Sequence, residues 1–149
     1  MSDRYFASIR IGGDLPRKQV APMCALLGLD GTSEEELVAH VREGHLVHED
    51  EQAAWGEFYE LEKACREMGL PYERHSEGYW NYPPQYASWQ PGMDGPETVT
   101  TDSDGNLLAS MDTLCEVRDH LRNGRGTEAL ALLDETITEL PELPPFRLV

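Results

Sequence analysis

The change of pattern at Gly69-Leu70-Pro71 constrains this chain most. Before it, Ala54, Phe58, Leu61, Cys65 and Met68 recur at spacings of four, three, four and three, the period of an α-helix with one apolar face. The glycine and the proline two residues later close that helix, because glycine accepts a left-handed cap and proline lacks the amide needed to continue. After it come short aromatic and β-branched runs between turn residues, at 72–75, 85–89, 97–101 and 106–110, with Asp104-Gly105 as a hairpin signal between the last two. Helices followed by a meander do not make a doubly wound α/β fold, which alternates strand and helix.

The flanking text completes the order. Residues 5–11 read as a first strand, ended by Gly12-Gly13. Val20, Met23, Cys24 and Leu27 have helical spacing, with Pro22 among them, so either Pro16 opens a kinked helix or Pro22 begins a short one. Thr32 or Ser33 caps the next helix, with Glu35 or Glu36 reciprocal, an apolar face at Leu37, Val38 and Val41, and a stop at Gly44. Residues 45–48 then read as a short strand or extended link around Leu46-Val47.

Past the meander, Ser110 or Asp112 caps a helix carrying Leu114, Val117 and Leu121, closed by Gly124. Thr127 caps another with Leu130, Leu133, Ile137 and Leu140 inward. The expectation is an α+β fold, an antiparallel sheet of about four to five strands packed on one face by four to five helices. Residues 1–149 are expected to form one compact domain, on which 141–149 packs as a proline-rich C-terminal tail through Leu143, Phe146 and Leu148 or as an edge strand.

Charge bounds the partners. The chain carries 28 Asp and Glu against 12 Lys and Arg, a formal net of −16 on 149 residues. Contact with a phosphate backbone or an anionic bilayer requires positive potential, so neither direct nucleic-acid binding nor membrane binding is expected. The acidity is uneven: residues 30–77 hold fourteen acidic and four basic groups, whereas 1–29 hold two and four. A solvated helix ordinarily mixes signs four residues apart, as Glu62 and Arg66 do, and its polar face needs no further explanation. Glu57, Glu60 and Glu67 instead form a face with little basic compensation, which would speed association with a basic surface.

Aromatic residues concentrate just beyond. Tyr72, Tyr79, Trp80, Tyr82, Tyr86 and Trp89 fall within 72–89, a stretch rich in proline. Some of these must fill a core. Gly78, Asn81 and Pro83 put Tyr79, Trp80 and Tyr82 in a loop or strand edge, where rigid aromatics serve as contact hot spots.

Motifs for chemistry are sparse. His45 and His48, with Glu49 and Asp50, are the best metal-like group, but a His-x-x-His in extended chain puts the rings on opposite faces, so these are weak candidates and no metal site is assigned. The 102–106 stretch resembles a piece of a calcium loop, yet the first and twelfth positions would be Thr100 and Met111, so it reads as a turn. Cys24, Cys65 and Cys115 each lie in an apolar helical pattern and read as packed, reduced thiols. No nucleophile elbow or phosphate loop is present, no cofactor is called for, and no catalytic residue is assigned.

The leading expectation is a small acidic protein-binding module, cytoplasmic for want of a leader or long apolar segment, whose partner presents a basic surface. Its contacts are Glu57, Glu60 and Glu67 for steering and Tyr79, Trp80 and Tyr82 as anchors. One subclass is an inhibitor that occupies a nucleic-acid-binding groove by charge mimicry. The alternatives are a metal-dependent or hydrolytic enzyme using His45, His48 and nearby carboxylates, and a structural subunit of an assembly; the balance falls against an enzyme, and the oligomeric state stays open.

Overall fold

The computed structural model describes residues 3–78, 80, 82–137 and 139–149. Its fold is α+β, with a multi-stranded antiparallel sheet and several helices. In chain order the elements are β1 Arg4–Ile11, β2 Gly13–Leu15, a 3-10 turn Arg17–Gln19, α1 Val20–Leu26, α2 Glu34–Val38, β3 Val41–Arg42 and β4 His45–Ala54. Then follow α3 Tyr59–Met68, β5 Tyr72–Ser76, β6 Gln85–Trp89, β7 Glu97–Thr100, α4 Met111–Arg122, α5 Gly126–Thr136 and β8 Phe146–Leu148. Two compact units result, one of Met1–Asn106 with Glu142–Val149 and one of Leu107–Pro141.

The first unit is built on a six-stranded sheet ordered β3-β4-β1-β5-β6-β7, all neighbours antiparallel. Strand alternation sorts its faces. Ala7, Ile9 and Ile11 of β1, Tyr72, Arg74 and Ser76 of β5, and Ala87 and Trp89 of β6 are buried. Across the apolar members of that face lie Val20, Met23 and Cys24 of α1, Leu37 of α2, and Leu61 and Cys65 of α3, which together form the hydrophobic core. Each fully buried aliphatic side chain there contributes roughly 1.5–3 kcal/mol. The opposite face carries Ser8, Arg10, Glu73, His75, Tyr86 and Ser88.

Several expected boundaries move, each for a physical reason. The helix over 54–68 begins only at Tyr59, because β4 runs to Ala54 and pairs with β1 as far as Arg4. The helix-forming Glu51-Gln52-Ala53-Ala54 is thus recruited into the sheet, tertiary pairing overriding propensity. Trp55 and Gly56, at φ of 57° and 64°, then turn the chain; a Cβ at Gly56 would run into the Tyr5 ring and Ser76. Pro22 is the third residue of α1, in the first turn, where a missing amide costs no intrahelical bond. Ser33 caps α2 by accepting from the Glu36 amide at 3.2 Å.

The 106–110 strand does not form. Asp102 closes the turn instead, accepting from the amides of Asp104 and Asn106 at 2.9 Å each and from the Asn106 side chain at 3.0 Å. The C-terminal tail both packs and pairs: β8 runs parallel to β2, Leu143 and Phe146 are buried, and the Phe146 amide donates to Gly44 O at 2.8 Å.

The second unit holds the helices α4 and α5. Ser110 caps α4 through the Thr113 amide at 3.2 Å, and residues 123–125 turn the chain into α5. Arg125, not Thr127, stands at the N-cap of α5. Of the apolar set read from sequence Val117 is buried, but Leu114, Leu121, Leu130 and Ile137 are exposed, and the buried position on α5 is instead Ala129.

Candidate functional site

One end of the sheet gathers the exposed aromatics. The bend at Trp55-Gly56 puts the Trp55 carbonyl within 2.8 Å of Tyr5 Oη, which donates to it. The Trp55 ring meets Tyr82 edge-on at 5.8 Å between centroids, a geometry that favours aromatic pairs. The chain at Gly78 passes close to Tyr82, since a Cβ there would strike the Tyr82 carbonyl. Burial, followed by the field of Glu57, pushes the Tyr5 hydroxyl above its ordinary pKa, and Tyr82 adds to the same effect. Tyr5, Trp55, Glu57 and Tyr82 are therefore neighbours. Trp55 is 45% exposed, Tyr82 44%, Tyr59 66% and Trp80 87%.

Glu57 and Tyr59 also line a cleft of about 170 Å³ with Glu62, Arg66, Arg74, Pro96 and Thr98. Within it lies a buried ion pair. Arg74 Nε donates to Glu62 Oε1 at 3.0 Å, Arg74 Nη1 donates to Gly56 O at 2.8 Å, and the Phe58 amide donates to Glu62 Oε2 at 2.8 Å. Arg66 Nη1 donates to the Tyr72 hydroxyl at 2.8 Å. Burial and the Glu62 charge nevertheless push that phenol up to about 12. Glu62 and Arg66 are thus separate structural bonds rather than the solvated i,i+4 pair that their spacing suggests.

The expected contact residues divide. Glu57 and Tyr82 come together as described. Glu60 and Glu67 stand exposed on α3, two turns apart, with Lys63 between them at three and four residues' spacing, so basic compensation is nearer than the charge count implied. Glu57 is not on that helix. Trp80 is exposed with φ of 49°, and Tyr79 lies outside the described residues.

The histidine group is drawn apart by strand alternation. His45 accepts at Nδ1 from Arg10 Nη2 at 2.9 Å and donates from Nε2 to Leu143 O at 3.0 Å, which fixes its tautomer. His48, opposite Ile9 in the register, faces the other way and meets Phe58 edge-on at 5.3 Å. Burial lowers its pKa, against the opposing pull of Asp50 and Glu49. Glu49 sits 3.8 Å from Arg42. Among the described residues no group of three or more His, Cys, Asp or Glu is placed to hold a metal ion.

A second polar cleft, of about 220 Å³, opens on the other face, lined by Ser8, Arg10, Glu73, His75, Tyr86 and Gly105. Arg10 Nη1 donates to Glu73 at 3.3 Å, and burial together with Glu73 raises the Tyr86 pKa. His75 Nε2 is buried there without a hydrogen-bond partner among the described residues. Sequence reasoning missed this group; alternation within residues 4–11 and 72–76 was the available signal, since it puts Ser8, Arg10, Glu73 and His75 on one face. Among the described residues no helix is long and apolar enough to cross a membrane. The chain matches no protein-family model, no curated protein and no solved structure.

Proposed function

We propose that this chain is a protein-binding module that docks a basic surface of its partner at the aromatic end of the sheet. The observation that carries the reading is the grouping of the exposed Trp55 and Tyr82 rings around Tyr5 and beside Glu57. Rigid aromatic side chains lose little entropy on contact and anchor interfaces. Glu57 supplies a local negative charge, while Glu60 and Glu67 on α3 add to the field that steers a basic partner. These carboxylates, set beside aromatic anchors, suit an inhibitor that covers a nucleic-acid-binding groove by presenting them in place of phosphates.

The test begins with affinity capture from the native cellular background and continues with binding kinetics on the captured protein. Glu57→Gln/Glu60→Gln/Glu67→Gln should slow association severalfold at low salt and little at high salt. Tyr82→Ala and Trp55→Ala should instead speed dissociation by tenfold or more. Kinetics unchanged by both sets would defeat the proposal.

A further inference from the structure

The sheet face turned away from the core carries the cleft of about 220 Å³, and strand register explains its composition. Ser8 stands opposite His75, Arg10 opposite Glu73, and Tyr86 opposite His75 on the other side, so three adjacent strands bring these five polar side chains together. The turn at 102–106 forms the rim. Asp102 pins it through the Asp104 and Asn106 amides, and a Cβ at Gly105 would sit 3.7 Å from His75 Nε2. That nitrogen is buried with no hydrogen-bond partner among the described residues, a costly state that a ligand's polar group would relieve.

The charges in the cleft narrow what fits. Arg10 commits two of its five N–H groups, to Glu73 at 3.3 Å and to His45 Nδ1 at 2.9 Å, and keeps three. Glu73 accepts that one long bond and helps to keep the Tyr86 phenol protonated. Glu49, opposite Ser8 on β4, sits 3.8 Å from Arg42. A cation alone would meet Arg10, and an anion alone would meet Glu73 and the field of a chain at −16. A ligand carrying both charges meets each with its opposite. Because Arg10 and Glu73 touch, the ligand's two charges must be equally close, as they are where ammonium and carboxylate share one carbon.

We propose that this cleft binds a free α-amino acid, with its carboxylate on Arg10 and its ammonium on Glu73 and His75 Nε2. Glu73 and His75 lie two residues apart on one face of β5, about 6.6 Å along the strand, a span that one ammonium with three donors bridges. His75 accepts at Nε2 with its proton on Nδ1. The cleft is smaller than sites for drug-sized ligands, which suits a ligand of so few atoms. Binding here is independent of any docking at Trp55 and Tyr82.

Titration calorimetry of the full chain with the protein amino acids, each added singly, tests this. At least one should saturate with a dissociation constant on the order of 0.1–1 mM. Acetate, methylamine and γ-aminobutyrate should bind at least tenfold more weakly, because each lacks one charge or the close spacing. Nuclear magnetic resonance of the unaltered chain should show the bound amino acid shifting the His75 ring and the Gly105 amide, a readout that needs no variant to fold. Arg10→Met and His75→Phe should each weaken binding at least tenfold, with far-UV circular dichroism checking the fold. No saturation by any amino acid up to about 10 mM overturns the proposal. So does equal binding of acetate, methylamine or γ-aminobutyrate, a shift map that omits His75 and Gly105, or affinity that folded forms of both variants retain.

Discussion

Glu62 and Arg74 join α3 to the sheet, and removing either side chain should be among the costliest single changes in the protein. Both are nearly excluded from solvent, with side-chain exposures of 6% and 5%. Glu62→Met leaves the Arg74 guanidinium buried with the Gly56 carbonyl at 2.8 Å as its remaining bonded partner, and it strips the Phe58 amide of its acceptor. Arg74→Met leaves a buried carboxylate without its cation. Either should cost about 3–5 kcal/mol, because an uncompensated buried charge is worse than no charge. That is a third or more of the stability of a typical domain, and it lowers the melting temperature by roughly 10–20 °C.

The double variant distinguishes this mechanism from simple loss of contact. With both charges gone, the desolvation penalty disappears along with the attraction, and the methionines fill much of the same space. What remains is the unsatisfied Phe58 amide at the start of α3 and the Gly56 carbonyl that loses its Arg74 donor, each costing about 1–2 kcal/mol. The double variant should therefore be more stable than either single one, with a coupling on the order of several kcal/mol. Urea unfolding followed by tryptophan fluorescence reads it directly, since Trp89 is buried and stacks on Tyr72 at 6.2 Å in the adjacent core. Additive losses, or a single-variant loss below about 1 kcal/mol, would refute the reasoning.

Three further outcomes follow from the same packing. Burial holds the folded pKa of His48 below its unfolded value of about 6.5, so the unfolded chain binds more protons between the two; stability should be full above that value and fall as the pH drops through the window, and His48→Gln should flatten that slope in pH-dependent urea unfolding. Burial, with Glu62 adding to it, pushes the Cys65 thiol up to about 12, and burial with Glu36 raises Cys24, so thiol titration of the native chain should label Cys115 first and the other two only on unfolding. Replacing Glu49 and Glu51 by threonine should increase light scattering at high concentration without lowering the melting point by more than a few degrees, because these charges guard a strand edge.

How much was legible in the sequence depended on where local and tertiary preferences agreed. Residues 5–11 and 85–89 alternate or carry β-formers and sit in the middle of the sheet or next to it, so β1 and β6 were readable. Ser33 and Ser110 cap helices as their hydroxyls and spacing require. The strand over 49–54 went unread because Glu, Gln and Ala favour helix, and only the partner strand β1, more than forty positions away, decides otherwise. Glu62 misled for a related reason. Its spacing to Arg66 matches a surface pair, but β5 brings Arg74 beneath the helix, and no local pattern reveals which guanidinium a carboxylate will meet. The site suffered most from this. Glu57 was placed on a helix face it does not share, and the Trp55–Tyr82 contact joins segments whose proximity depends on the whole sheet.

The same geometry divides the acidity that dominates residues 30–77 into portions with different work. Glu62 is internal and neutralised by Arg74. Glu34, Glu35 and Glu36 fill the first turn of α2, where carboxylates favour the positive end of a helix dipole. Glu49, Asp50 and Glu51 fall on β4 beyond the two residues that pair with β3, and the register slips opposite Phe6. Charges and an irregularity together keep such an edge from recruiting a strand of another molecule. These residues would be acidic in a protein with no basic partner at all. Among the carboxylates outside these portions, Glu57 is set at the Trp55-Gly56 bend beside exposed rings, and Glu60 and Glu67 stand around Lys63. A binding role for the acidic region must therefore stand on these few carboxylates and their aromatic neighbours rather than on the net charge.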